Sequence, residues 1–507
     1  MRRLLAVAVV ALSLAPAAGA QPGFRYAVAA GEMTSTSALL WARSNEPGPV
    51  RLRVWPSPRK GMPIVQVDLN ARRARDLVVQ RRVHGLAPNS RYTYVFSVKV
   101  GRITIASHGE FWTAPSPRTG ARVRFAISGD ADGARNPRTG KPAYNLFQVY
   151  GRMAAERNHF NINLGDTIYS DSEVGGVPPA LTIPAKWAKY KQNLGFAHLR
   201  NLRRGTGLYS HWDDHEFIND FSLPEHRKAV YRAGAVAFID YAPVSYSART
   251  GLYRTFRWGK HLELFFLDER SFRSAKVRAT CNNDLAPTAP QSVRNAFATL
   301  VPALATPVPQ ACLDAVGDPS RTMLGARQYA AFTKAIRAST ATWKVIVNEV
   351  PIQQYFALPY DRWEGYEAER AKLLRFLQAN VKNVLFLTTD THANFVNEVR
   401  LSTFGAGGPV GTGIWEVVTG PVATNTQNKE VDETLGRPGM GSAITALFYK
   451  PAPPRGVGMA CASADVYSYA QVEVTGAAIT VTPKDAAGKL VREETGGACG
   501  PFTFKAR

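Results

Sequence analysis

Apolar and polar positions alternate in short runs from about Phe24 to Ala114. They do so in Ala38-Leu39-Leu40-Trp41, in Val50-Arg51-Leu52-Arg53-Val54-Trp55 and in Tyr92-Thr93-Tyr94-Val95-Phe96-Ser97-Val98, with turn residues between them. A period of two over such lengths marks half-buried strands, so this stretch predicts a small all-β sandwich. The Pro-rich Ala114-Pro115-Ser116-Pro117 reads as a linker. From Val123 the pattern changes to strand, loop, helix. Val123 to Ser128 and Phe160 to Leu164 read as strands, separated by a helix over about Ala143 to Glu156 with Leu146, Phe147, Tyr150 and Met153 on one face. Leu262 to Leu267, Lys344 to Val350 and Val384 to Thr388 are continuous apolar runs, the signature of buried strands. Glu364 to Ala379 reads as an amphipathic helix, Ser274 to Pro319 as a surface insertion, residues 400–460 as long loops and Val466 to Thr482 as a last β-rich stretch. The layering is α/β, with strands delivering polar residues at their ends.

Composition limits the remaining classes. The chain has 507 residues, 45% of them hydrophobic, enough for two or three domains with a large core. Arg2 and Arg3, the apolar Leu4 to Leu14 and the small Ala18-Gly19-Ala20 have the form of a signal peptide over residues 1–20. No later apolar run reaches transmembrane length, so the expected location is secreted or periplasmic. Four cysteines in an oxidising compartment suggest two disulfides; among the three connectivities we favour Cys281–Cys312 and Cys461–Cys499, each closing a Pro- or Gly-rich loop. Lys and Arg exceed Asp and Glu by 23, a balance that attracts anions but does not distinguish nucleic acid, anionic lipid, wall polymers or small phosphates.

The acids collect where chemistry is expected. Gly129-Asp130-Ala131-Asp132-Gly133, Gly165-Asp166-Thr167-Ile168-Tyr169, Trp212-Asp213-Asp214-His215-Glu216 and Thr389-Asp390-Thr391-His392 each follow a predicted strand or strand-like run. Open α/β sheets place ligands at strand C-termini. Carboxylates converging there repel one another unless cations compensate them, so two or more bound metals are the natural resolution. Singly, each motif has a plainer explanation: a turn for Asp130 or Asp166, a helix cap for Asp213-Asp214, a structural imidazole for His392. Four such accidents in this order are a much poorer explanation than one site.

The order Asp, Gly-Asp-x-x-Tyr, Asp-His-Glu and a late His resembles the calcineurin-like metallophosphoesterase superfamily. Trp212 to Glu216, Leu267-Asp268-Glu269-Arg270-Ser271-Phe272-Arg273 and Leu387 to His392 are more narrowly similar to the PhoD-type alkaline phosphatase / phospholipase D family. Gly85 to Tyr94 resembles a fibronectin type III signature. The implied architecture is a calcineurin-like β-sandwich flanked by helices over residues 121–482, a small all-β fibronectin III-like domain over residues 21–116, and a C-terminal tail over residues 483–507. The resemblance implies that Asp166 bridges two metals, that Tyr169 is a phenolate ligand to iron, and that Asp130, Asp132, Asp213, Asp214, Asp390 and His392 belong to the metal shell. It implies that His215 lies above the scissile phosphate to stabilise its charge or protonate the leaving group, while Arg270 and Arg273 suit the phosphate oxygens. The implied cofactors are Ca2+ and Fe3+. Family members commonly carry a Cys ligand where this chain has Asp130, and a harder carboxylate there also admits Mn2+ or Mg2+.

The expected activity is therefore hydrolysis of phosphate mono- or diesters by a metal-bound hydroxide. Phospholipids or polyanionic polymers are alternative substrates, and a non-catalytic phosphate- or polyanion-binding protein is the alternative from another class. No dedicated nucleic-acid module is evident, and a monomer is expected.

Overall fold

The computed structural model describes residues 23–507, and the signal segment expected at residues 1–20 lies outside them. Residues 28–112 form two antiparallel sheets. One has three strands (Val28–Gly31, Ser37–Arg43, Val78–His84); the other has four, in the order Val65–Ala71, Gly48–Pro56, Arg91–Val100, Ile103–Trp112. Alternation along each strand turns Leu40, Leu52, Val54, Tyr94 and Phe96 inward, making this the expected fibronectin-like sandwich. The Gly85–Tyr94 signature has a physical basis, because the Ala87 N–H donates to the Tyr92 hydroxyl at 2.7 Å and fixes the corner before the strand.

The larger region is built on two sheets packed face to face. In the first, Gly207–Ser210, Phe160–Asn163 and Val123–Ser128 run parallel, followed by antiparallel Ser468–Val474, Ala478–Asp485 and Phe502–Lys505. In the second, Leu262–Phe266, Trp343–Val347, Val384–Thr388 and Val410–Val418 are parallel neighbours; Arg254–Trp258 closes one edge and Asn394–Ser402 and Cys461–Ser463 the other. Their inner faces share one core containing Phe125, Ile127, Ile162, Leu264, Phe266, Val345, Leu387 and Val472. Helices Gln148–Ala155, Ala197–Gly205 and Lys228–Tyr241 cover the outside of the first sheet, and Gly325–Ala338 and Glu367–Asn380 the outside of the second. Burial on both faces explains the continuous apolar runs of the parallel strands.

Local contacts shift several expected boundaries. The helix expected from Ala143 begins at Gln148, because Phe147 is left-handed (φ 62°) and Asn145 spends its side chain on the Phe147 N–H and the Val422 carbonyl. Leu146, assigned to the apolar face, is 54% exposed. The helix expected from Glu364 begins at Glu367, after a tight turn over Trp363–Tyr366. Residues 483–507, set apart in sequence as a tail, belong to the first sheet: Phe502–Lys505 pairs with Ala478–Val481, and Cys499 is bridged to Cys461. Cys281 is bridged to Cys312, inside the 274–319 insertion. That insertion forms helices Gln291–Phe297 and Gln310–Val316 and walls a cavity, so it is more than surface decoration. The region 400–460 holds strand Val410–Val418 and helices Gln427–Leu435 and Met440–Ile444 between its loops. Among the described residues no helix is long and apolar enough to cross a membrane.

Candidate metal centre

The acidic motifs meet because all of them follow the C-terminal ends of parallel strands. Asp130 follows Val123–Ser128, Asp166 follows Phe160–Asn163, and Asp213 and Asp214 follow Gly207–Ser210 on the first sheet; Asp390 and His392 follow Val384–Thr388 on the second. The site therefore lies across the rim of the sandwich, where both sheets deliver side chains. The backbone is strained there. Asp130, Asp166, Asp390 and His392 have φ of 62°, 47°, 73° and 51°, a left-handed region that side chains other than Gly seldom adopt. Such conformations cost about 1–3 kcal/mol each and persist where the surroundings enforce them. Gly165 is needed for close approach, since a Cβ there would lie 2.7 Å from the Asp213 Cβ.

Four groups of ligand atoms, each within 4.8 Å of one another, chain together: Asp130/Asp166/His392, Asp166/Asp214/His215, Asp213/Asp214/Asp390 and Asp214/Asp220/Asp361. Asp166 joins the first two groups and Asp214 the last three. The Tyr169 hydroxyl is 2.9 Å from the His392 Nε2, which puts the phenol at the first group. Each imidazole is oriented from behind by a carboxylate. His392 Nδ1 is 2.6 Å from Glu430 Oε1, and His215 Nδ1 is 2.6 Å from Asp171 Oδ1. The His215 ring also stacks on Tyr169, 4.0 Å between centroids.

The electrostatics call for positive charge. Burial, followed by repulsion from Asp214, Asp213 and Glu216, lifts the Asp166 carboxyl well above its ordinary range. Burial raises Asp130 as well, and it pushes Asp390 up to about 7, with Asp361 and Asp214 adding to the shift. Burial alone would lower both imidazoles. The surrounding carboxylates instead raise His215 well above its ordinary value and push His392 up to about 9. Asp130 Oδ1 and Asp213 Oδ2 are buried without a hydrogen-bond partner. Unpartnered buried carboxylate oxygens beside imidazole and phenol are the donor set of hard or borderline cations, so the residues present fit the implied metals.

Three expected residues stand outside the ligand groups. Asp132 lines the cavity beside them; its oxygens accept from the Ala134 N–H at 2.8 Å and the Ser172 hydroxyl at 2.5 Å. Arg270 is neither a surface arginine nor a cavity residue. It is fully buried, 2.5 Å from both Asp213 and Asp361, and 3.8 and 3.6 Å from Asp214 and Asp390. Arg273 lies behind it, 3.0 Å from Asp361 and 3.3 Å from the Tyr366 hydroxyl. Neither arginine lines the cavity of about 790 Å³ that opens over the acids. A desolvated guanidinium is tolerable only among acids, and here two of them hold the carboxylate array together from beneath. Sequence reading found Asp166, Tyr169, Asp214, His215, Asp390 and His392 on the cavity lining but missed Asp220, Asp361 and Arg362 there, and the orienting Glu430. All four come from loops or helices with no strand before them, where the signal used for the other acids is missing.

Comparison with known proteins places the family and the fold. The PhoD-like phosphatase family matches residues 139–446, and the PhoD-like phosphatase N-terminal domain matches residues 10–115. Alkaline phosphatase D of Bacillus subtilis (strain 168) is 25% identical over 425 residues, covering 75% of this chain; the chain spans 66% of that relative's length. The solved structure of PhoD superposes with a TM-score of 0.72 at 20% identity, over 97% of this chain and 90% of the other. A purple acid phosphatase from yellow lupin superposes with a TM-score of 0.56 at 12% identity, over 93% and 74%. A fold shared with these phosphatases, together with a family match over most of the catalytic region, identifies the chain as a member of the PhoD-like phosphatase family.

Proposed function

We propose that the protein is a metal-dependent phosphoesterase that hydrolyses phosphate mono- or diesters in the cavity above the acidic array. The observation that carries this reading is the convergence of Asp166, Asp214, His215, Asp390 and His392 on one open cavity, with the fully buried Asp130, one of its oxygens unpartnered, in the same ligand group as Asp166 and His392. Cations held there would offset the clustered charge, polarise the phosphate oxygens and activate water for attack on phosphorus. Tyr169 and His392 are the donors suited to Fe3+; the all-carboxylate groups around Asp214 suit Ca2+, Mg2+ or Mn2+.

The chain's own residues do the rest. Asp171 fixes the His215 ring so that its Nε2 is turned away from that carboxylate and can donate to the phosphate or to the leaving oxygen. Arg270 neutralises part of the array and keeps Asp213 and Asp361 in place. Arg362, half-buried at the cavity wall beside Asp361, takes over the anion-gripping role that the sequence suggested for Arg270 and Arg273. Export to an oxidising compartment fits the two disulfides.

The test is initial rates on p-nitrophenyl phosphate and bis-p-nitrophenyl phosphate, before and after chelation, with Ca2+, Mn2+ and Fe3+ restored separately. The expected outcome is turnover that chelation removes and a metal restores, with the ratio of rates assigning monoester or diester preference. A fully metallated protein that turns over neither ester but binds phosphate would be the binding protein instead.

A further inference from the structure

The candidate ligand acids occupy only one side of the cavity. The other side is built by the 274–319 insertion, by Phe356 to Leu358 and by the helices Gln427–Leu435 and Met440–Ile444 with the turn after them. These segments bring Arg278, Gln427, Glu430 and Glu433 to the cavity, and with them a broad stretch of carbon. Val293, Phe297, Leu300, Phe356, Ile444 and Phe448 all line it. Phe297 and Phe356 each pack against Phe448, with ring centroids 5.5 and 6.3 Å apart. Phe297, Leu300 and Ile444 remain partly exposed. A pocket serving only inorganic phosphate or polyol esters has no use for such a wall, and exposed apolar surface of this kind ordinarily marks a binding site.

The wall is also held rigid. Arg294 grips both oxygens of Asp284 at 2.7 and 2.8 Å and the carbonyls of Ala286 and Thr306 at 2.9 and 2.8 Å. The Cys281–Cys312 bridge closes the same insertion, and the Tyr360 hydroxyl ties it to the floor through the Asp284 carbonyl at 2.7 Å. Tyr360 precedes Asp361 and Arg362, so one short segment joins the apolar wall to the acidic floor.

Building on the phosphoesterase reading, we infer that this wall is a subsite for the organic arm of the ester, and that the preferred substrates are phosphodiesters with an extended alkyl or aryl group. The phosphate would sit over the carboxylates while the apolar arm lies along Phe297, Leu300, Phe356 and Phe448. A preformed wall takes up such an arm without an ordering cost.

A series of p-nitrophenyl alkyl phosphates (ethyl, butyl, hexyl, octyl), used below their micelle concentrations on the metal-loaded enzyme, keeps the leaving group constant. The expected kcat/KM rises about two- to fourfold per added methylene until the wall is covered. In Phe297→Ser and in Leu300→Ser the octyl-to-ethyl ratio falls toward one. Measurable turnover with no chain-length dependence overturns the subsite and leaves the phosphoesterase reading standing. A gain seen only above the micelle concentration is adsorption to an interface and overturns it as well. No turnover on any ester removes the phosphoesterase reading and the subsite together.

Discussion

At the scale of single residues, two kinds of carboxylate can be told apart. Asp166 belongs to two ligand groups, whereas Glu430 belongs to none and holds the far nitrogen of His392 from the cavity wall. Asp166→Asn removes a ligand charge from both groups, and turnover is expected to fall by at least about a hundredfold with folding intact. Glu430→Gln leaves every ligand present but loosens the orientation of His392, so metal affinity should fall about 10- to 100-fold while saturating metal restores much of the rate. Calorimetric metal titration with circular dichroism on both variants separates the cases. Equal affinity in Glu430→Gln and the parent would remove its positioning role. Asp130, Asp166 and Asp390 were legible as candidate ligands because each follows a run that reads as a strand. Asp132 was grouped with Asp130 because it sits in the same Gly-Asp-x-Asp-Gly run; the structure puts it on the cavity lining with its oxygens engaged by Ala134 and Ser172. The arginines misled because sequence spacing carries no depth. Arg270 and Arg273 have the right chemistry for phosphate yet lie beneath the carboxylates.

At the scale of elements, the buried parallel strands were readable and the helix starts were not. An apolar run of five residues has few other uses, whereas the start of the helix at Gln148 depends on Asn145 reaching a carbonyl 277 positions away. The strand Val123–Ser128 carries a further dependence of this kind. His159 accepts the Arg124 N–H through Nδ1 at 3.0 Å, wedged between Trp112 and Trp258. Its burial, helped by the charges of Arg124 and Arg122, lowers its pKa below the ordinary 6.5. As pH falls below 6.5 the unfolded chain takes up the proton before the folded one does. The stabilisation from neutral His159 is thus complete above that pH and is lost as pH falls through the folded value. Urea midpoints for the parent and His159→Gln, taken at about pH 7.5 and pH 5, should show a drop in the parent that is smaller in the variant. An equal drop in both would assign the pH effect to other groups.

At the scale of the whole molecule, the N-terminal sandwich is fastened to the catalytic region more tightly than a Pro-rich linker suggests. The two regions share a continuous apolar core, and polar contacts lock their boundary. Trp41 donates through Nε1 to the Asp240 carbonyl at 2.7 Å. Glu32, 2% exposed, accepts from the Ser245 N–H at 2.6 Å and from Arg254 at 3.2 Å, and it also pairs with Arg82. Arg254 is itself buried and in turn holds the Ser210 carbonyl at 2.8 Å, at the end of the strand that leads to Asp213 and Asp214. None of this could be read from sequence, because the partners lie some two hundred residues apart and neither end has a periodic signature. The arrangement makes the small domain part of the active-site scaffold. Removing Glu32 leaves a buried guanidinium without its partner, a loss of about 3–5 kcal/mol. Glu32→Ala should therefore lower the unfolding temperature of the whole chain in one calorimetric transition and reduce turnover through the Ser210 strand. If the domains were independent, the variant would instead split the transition, shifting a small early peak while leaving the main peak and the activity unchanged.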